Sequence, residues 1–136
     1  MNEPCDLSAV EARRLIGRKR LSPIELLESC IARIEMVNPT VNAVVATCYD
    51  RARDEARAAT DALLRGDELS PLHGLPIGVK DLNETEGLRT TYGSPLYADY
   101  VPEKDERMVA ALRKAGAIIL AKTNTPEFGA GGNTKN

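Results

Sequence analysis

The chain has 136 residues, the size of one domain, and 43% of them are hydrophobic and 28% charged, as in a soluble globular protein. A net charge of −2 provides no basic surface for nucleic acid or for an anionic membrane, and no apolar run approaches the roughly 20 residues that span a bilayer. The three cysteines lack CxxC spacing, which argues against a disulfide framework or a zinc site and, with a polar, acidic start, predicts a cytoplasmic protein.

Residues 1–70 are predicted to form the helical segment of the domain. In the first two helices a serine is followed three residues later by a glutamate, the capping-box sequence that opens a helix. Pro39 is expected to stop the second helix, because the residue before a proline avoids helical geometry. The predicted elements are helices from Ser8 to about Gly17, from Ser22 to Asn38-Pro39 and from about Tyr49 to Arg65, with a strand at Val41–Thr47.

Residues 71–136 are predicted to form the first α/β part. A helix, a glycine turn and a continuous apolar strand indicate a parallel sheet. The fold class is therefore α/β, with N-terminal helices and the first part of a mixed, largely parallel sheet flanked by helices. Such sheets are covered on both faces, so residues 1–136 are expected to be the N-terminal portion of a larger domain. The elements are a strand at Pro76–Lys80, irregular chain from Asn83 to Tyr100, a helix capped by Asp105 with Met108, Val109 and Leu112 inside, and a strand at Ala117–Ala121.

Lys80 is the leading candidate for a functional side chain. It closes a short apolar strand, where a charged group is costly to bury. Two interpretations stay open from the residues alone: a salt bridge to a carboxylate, or a proton carrier once the amine is desolvated. Ile77 and Val79 fix the strand in the core, and Gly78 removes bulk on the face of Lys80, which makes the strand a rigid platform for a catalytic group.

Other candidate sites are weaker. His73 is the only histidine and lies in a turn without a serine or cysteine motif, so a structural or exposed role is favoured. Ser94 lies in a turn and is not expected to be a nucleophile. The glycine-rich tail matches neither phosphate-loop pattern, and one histidine with scattered carboxylates gives no metal-ligand spacing. Neither a cofactor nor a metal is expected.

Several ordered segments resemble the amidase signature family. The resemblance covers nearly the whole chain, and compatible spacing between several motifs makes it specific. The matching segments are Leu72-His73-Gly74-Leu75-Pro76-Ile77-Gly78-Val79-Lys80-Asp81, Gly87-Leu88-Arg89-Thr90-Thr91, Gly93-Ser94 and the stretch from Ala115 to Phe128.

This resemblance implies a serine amidohydrolase with a Ser–cis-Ser–Lys triad that hydrolyses carboxylic amides to a carboxylate and ammonia or an amine. The lysine of the triad maps onto Lys80. Both serines belong to a later Gly/Ser-rich segment, and Gly131 and Gly132 are expected to lie near the small-molecule amide substrate. A lysine serves as a base near pH 7 only if burial lowers its pKa by roughly 3 units from about 10.4.

Two alternatives remain open. One is the glutaminase subunit of a tRNA-dependent amidotransferase, which would use the same triad and need partner subunits. The other, of a different class, is an inactive truncated fragment or assembly piece. The partners to be considered are accordingly a second copy of the chain or amidotransferase subunits. The 136-residue chain alone is expected to show no amide turnover and to be poorly soluble or oligomeric.

Overall fold

A computed structural model describes residues 3–134. Four α-helices, three β-strands and three short 3₁₀ turns follow one another along this part of the chain. The helices are α1 (Ala9–Gly17), α2 (Pro23–Val41), α3 (Tyr49–Arg65) and α4 (Arg107–Lys114); the strands are β1 (Val44–Thr47), β2 (Pro76–Lys80) and β3 (Ile118–Thr123); the 3₁₀ turns are Pro4–Asp6, Pro95–Tyr97 and Glu127–Gly129.

The first three helices begin where local chemistry predicts. Both capping boxes are formed: the Ser8 and Ser22 hydroxyls accept backbone N–H groups, and the glutamate three residues later accepts a bond from each serine N–H. Helix α3 has the predicted bounds and ends at Gly66, whose left-handed backbone favours glycine. These boundaries therefore have local causes that can be read in the sequence.

The predicted end of α2 at Asn38-Pro39 is wrong, since the helix continues through Pro39 to Val41. Near a helix end, proline removes only one intrahelical hydrogen bond, and the following residues can stay helical. The helix stops instead at Asn42, which adopts the left-handed conformation. This extension also moves the start of β1 from the predicted Val41 to Val44.

The sheet has the order β1-β3-β2, with β3 in the centre. Strand β3 runs parallel to β2 and antiparallel to β1, so the predicted mixed α/β sheet is confirmed. Both pairings contain an irregularity, at Val44/Ala46 and at Ile77/Gly78. Beyond the second irregularity Val79 lies beside Lys122 and Lys80 beside Thr123. Neighbours in register share a face of the sheet, so the two lysines point to opposite faces.

The sheet is packed on both faces. On one face, Ile118, Leu120 and Ala121 contact apolar side chains of α2 and α3, and α1 packs against those helices in a second cluster. On the other face, Val79 and Ile119 contact Val109 of α4 and Leu88 of the loop after β2. The predicted buried strand is therefore confirmed as the central strand of three layers.

Two predictions about α4 are corrected. The N-cap is Glu106 rather than Asp105, because the Asp105 carboxylate is engaged elsewhere: it accepts bonds from the Glu86 N–H (2.8 Å) and from Arg113 Nε (2.7 Å). Met108, predicted on the inner face, is 46% exposed, and Val109 alone is fully buried in this helix. A helix that starts two residues later than its predicted cap presents a narrower apolar face.

Candidate active site

Lys80 is the last residue of β2 and lies at the carboxyl end of that strand. Its side chain is exposed, and none of the carboxylates in residues 3–134 forms an ion pair with it. Gly78 is needed on the same face, because a Cβ there would lie 2.9 Å from Thr123 Cγ2. The salt-bridge interpretation of Lys80 thus has no partner in the described chain, and the amine is open to an approaching group.

The chain leaves Lys80 through an anchored turn. The Asp81 N–H donates to the Thr123 carbonyl and the Asn83 N–H donates to the Lys80 carbonyl, both at 2.9 Å. Asp81 is only 2% exposed, and its carboxylate accepts bonds from the N–H (3.0 Å) and the hydroxyl of Thr91. The backbone on both sides of Lys80 is therefore fixed although its side chain is free.

Lys122 is a second lysine at this end of the sheet, and the sequence patterns did not single it out. It is fully buried, and its ammonium donates to the Asn83 carbonyl and to the hydroxyls of Thr85 and Thr90, each hydroxyl at 3.1 Å. Burial lowers the pKa of Lys122 to about 8, and the nearby Asp81 carboxylate opposes that shift. The available signal was the position of this lysine directly after the apolar run Ala117–Ala121, inside the same buried strand.

The start of the glycine-rich tail reaches the same end of β2. Gly129 packs so closely on Leu82 that a Cβ at Gly129 would lie 2.7 Å from Leu82 Cδ1. Gly131 and Gly132, the predicted substrate-binding residues, are exposed, and nothing lies within 4 Å of a Cβ built on Gly132. The structure thus brings the beginning of the tail next to the turn after Lys80 and leaves the two predicted glycines open.

An aromatic patch lies where the loop after β2 meets the tail. We use this name for Tyr92, Leu96, Tyr97, Tyr100 and Phe128. The four rings lie 5.0–6.4 Å apart between contacting centroids, and the Phe128 N–H donates to the Tyr92 carbonyl at 2.7 Å. Leu96 is 82% exposed and Phe128 52%. The patch therefore joins loop and tail and offers an apolar surface to solvent.

The remaining sequence candidates have structural environments. His73 is half-buried, and its Nε2 lies 2.9 Å from the Ala59 carbonyl. Ser94 is buried and donates to Glu127 at 2.7 Å, so it is not free to act as a nucleophile. In residues 3–134 the three cysteines are unpaired and no group of three or more His, Cys, Asp or Glu side chains could hold a metal ion. Every helix in that range is too short or too polar to cross a membrane.

Comparison with known proteins gives a consistent family. The profile of the family described as Amidase matches residues 25–136. The chain is 42% identical over 130 residues to the A-type subunit of the glutamyl-tRNA(Gln) amidotransferase from Roseiflexus castenholzii and 39% identical over 130 residues to an acylamidase of Rhodococcus erythropolis, in each case across 96% of its own length.

Solved structures agree in fold. The crystal structure of a bacterial aryl acylamidase of the amidase signature enzymes superposes with a TM-score of 0.88 at 32% identity, covering 96% of this chain and 27% of that one. A crystal structure described as an amidase gives a TM-score of 0.82 at 40% identity, covering 92% of this chain and 28% of that one. The chain spans about a quarter of the length of the curated relatives it matches, 26% of the Roseiflexus protein and 27% of the Rhodococcus protein.

Proposed function

Because this chain belongs to the amidase family, we propose that it forms the N-terminal portion of an amide hydrolase in which Lys80 is the base of a Ser–cis-Ser–Lys triad. The observation that carries the proposal is the setting of Lys80. Its amine is open and unpaired at the carboxyl end of a parallel strand, while its backbone is fixed by the anchored turn. A group that must be held in place yet reach a substrate needs this combination.

The proposed chemistry requires a neutral amine. In the complete site, polypeptide beyond the described residues would cover Lys80 and remove water from it, which disfavours the charged form. The amine then takes a proton from the bridging serine, which takes one from the nucleophilic serine. The freed serine oxygen attacks the amide carbon, and backbone N–H groups hold the resulting oxyanion. The same proton returns to the leaving amine, and water subsequently hydrolyses the acyl-enzyme.

Gly131 and Gly132 are proposed to border the substrate. Both are open on the structure, and the tail that bears them begins against the turn after Lys80. A segment without side chains lets a substrate approach the backbone closely. This role predicts that Gly132→Val raises KM for an amide in a catalytically complete protein and leaves the free energy of unfolding nearly unchanged.

The test of the triad compares Lys80→Met with Lys114→Met in a polypeptide that continues this chain through a serine-bearing segment. Lys114 is an exposed residue of α4 and serves as the matched control. Ammonia or amine release from simple aliphatic and aryl amides is measured. We expect Lys80→Met to lower kcat by on the order of 10²–10⁴-fold, the usual contribution of a general base, and Lys114→Met to leave it unchanged. Full activity of Lys80→Met would refute the assignment.

A second candidate function is favoured by the 42% identity to the amidotransferase protein from Roseiflexus. In that case the same lysine would serve in glutamine hydrolysis, and the protein would work with partner subunits. Glutaminase activity that rises when amidotransferase partner subunits are added would favour this candidate. Partner-independent hydrolysis of acyl or aryl amides would favour the stand-alone amidase.

For the 136-residue chain alone we expect no turnover, because the family resemblance assigns both serines to a segment after the tail. The decisive measurement is amide hydrolysis by the purified 136-residue chain. Activity that is lost in Lys80→Ala would show that a nucleophile lies within these residues and would overturn this expectation.

A further inference from the structure

The ammonium of Lys122 is saturated by a single segment. An ammonium has three N–H donors, and all three are used: on the Asn83 carbonyl, the Thr85 hydroxyl and the Thr90 hydroxyl. All three acceptors come from the loop that follows Lys80, and none comes from the sheet or from α4. Lys122 therefore joins the central strand to this loop alone.

This loop has little regular structure of its own. Between the end of β2 and the 3₁₀ turn at Pro95–Tyr97, the described chain contains one isolated bridge, Thr85 to Leu88, and no helix or strand. Side-chain bonds therefore decide its conformation. A methionine would fill the space of Lys122 without the cost of burying a charge, so the stability of the strand does not require a lysine at this position.

A short series of hydrogen bonds connects the two lysines. Lys122 Nζ donates to the Asn83 carbonyl, and the Asn83 N–H donates to the Lys80 carbonyl at 2.9 Å. Asn83 is thus held at both ends, by the buried lysine on one side and by the candidate base on the other. The Lys122 side chain lies behind the sheet face that carries Lys80.

We propose that Lys122 is a positioning residue for Lys80: its ammonium fixes Asn83 and the loop, and through Asn83 it fixes the backbone from which the Lys80 side chain extends. This inference rests on the proposed function of Lys80. Lys122 is buried and does not touch the substrate. It determines the direction in which the Lys80 amine points when the site is complete.

The first experiment measures amide hydrogen exchange by NMR in the 136-residue chain. The variants are Thr90→Val and Thr85→Val, each of which removes one acceptor at nearly constant shape, together with Lys122→Met and the surface control Lys114→Met. The reporter is the Asn83 amide, and the reference is the Ile118 amide, which donates to the Leu75 carbonyl at the far end of β3. If Lys122→Met does not fold, the two threonine variants carry the test.

We expect exchange at Asn83 to rise by about tenfold in Thr90→Val, since a hydrogen bond to a charged group is lost, with exchange at Ile118 unchanged. Lys114→Met should resemble wild type at both amides. Unchanged exchange at Asn83 would overturn the proposal. An equal rise at Asn83 and Ile118 would also overturn it, because Lys122 would then stabilise the whole fold and not the turn.

The second experiment uses the catalytically complete polypeptide. We expect Thr90→Val to lower kcat at unchanged KM and to shift the acidic limb of the kcat–pH profile, a combination that a general loss of stability does not produce. If Lys80→Met is inactive while Thr90→Val keeps full kcat, positioning by Lys122 is wrong and the proposed function stands. If Lys80→Met is fully active, the proposed function fails and this inference fails with it.

Discussion

At the scale of single residues, two lysines on adjacent strands have opposite environments. Lys80 lies beside Thr123 on the open face, and Lys122 lies beside Val79 on the face covered by α4 and the loop after β2. The alternation of side chains along a strand is enough to separate them, since a shift of one residue changes the face. One lysine is therefore available for chemistry, and the other is available only for structure.

The first prediction concerns Lys122 and pH. Its pKa is lowered to about 8 in the folded chain, below the ordinary value of 10.5, so between these values the unfolded chain binds more protons. The free energy of unfolding should therefore rise with pH across this window, by at most about 3 kcal/mol. Below pH 8 both states carry the charge and the contribution is constant.

The measurement is urea unfolding of wild type and Lys122→Met from pH 7 to 10.5. Subtracting the variant removes the contribution of tyrosines such as Tyr49, because burial raises the pKa of Tyr49 to about 12 and its titration destabilises the fold at high pH. The wild-type value minus the Lys122→Met value should increase with pH. A constant difference would mean that Lys122 titrates alike in both states.

Gly93 provides a second prediction at this scale. Its φ is +66°, and a Cβ there would lie 2.7 Å from the Thr125 carbonyl oxygen, a backbone atom that cannot easily move. Gly93→Ala should lower the free energy of unfolding by about 2–4 kcal/mol, from left-handed strain and overpacking together. Gly66→Ala is the control, since Gly66 has a φ of +83° with nothing within 4 Å, and it should cost only about 1 kcal/mol. Equal losses in the two variants would show that the contact with the tail has no energetic weight.

At the scale of secondary-structure elements, Arg113 joins three segments. From α4 its Nε donates to Asp105 at 2.7 Å, and its Nη1 donates to Glu55 of α3 at 3.2 Å. Asp105 in turn accepts the Glu86 N–H of the loop after β2. Arg113 and Asp105 are largely buried, so water replaces these bonds poorly.

We therefore expect Arg113→Met to lower the free energy of unfolding by about 2 kcal/mol, because Asp105 loses its cationic partner in a buried position. The matched control is Arg57→Met, which breaks an exposed pair with Asp54 within α3 and should change stability by less than about 0.5 kcal/mol. Chemical denaturation of both variants measures the difference. Similar small effects would mean that solvent screens the Arg113 network.

Elements with local causes could be predicted from the sequence. The capping boxes at Ser8 and Ser22 and the glycine after α3 determine boundaries through bonds that lie within a few residues. Asp105 could not be assigned in this way, because its partner Arg113 competes with the helix cap, and only the folded chain brings them together. Pro39 failed for another reason: proximity to the helix end made its missing hydrogen bond inexpensive.

At the scale of the whole molecule, the aromatic patch is the largest departure from a polar surface. Exposed apolar groups that lie together, such as Leu96 and Phe128, favour association more than the same groups scattered singly. We expect the 136-residue chain to sediment as oligomers, and the double variant Leu96→Ser/Phe128→Ser to shift the distribution towards monomer. Val10→Ser, at an exposed and separate position on α1, is the control and should change nothing. A monomeric wild type would contradict the prediction.

The candidate site could be predicted from the sequence only in part. Lys80 stood out because a charge closing an apolar strand is unusual, and the motifs around it resemble a known family. Lys122 follows a buried strand in the same way, but its acceptors Thr85 and Thr90 lie far away along the chain and have no pattern that announces them. A buried ammonium is recognised only when the folded loop supplies its oxygens.

The central position of β3 has a consequence for synthesis on the ribosome. Among the described residues, β1 and β2 each pair with β3 alone, and β3 is the last of the three to be translated. Helices α2 and α3 contact each other directly through Leu27, Ile31, Ala52 and Ala56 and can assemble early. At about 5–20 residues per second, β1 then waits for several seconds without a partner. During that interval the nascent chain displays two unpaired strands, which are the segments that a ribosome-associated chaperone would shield.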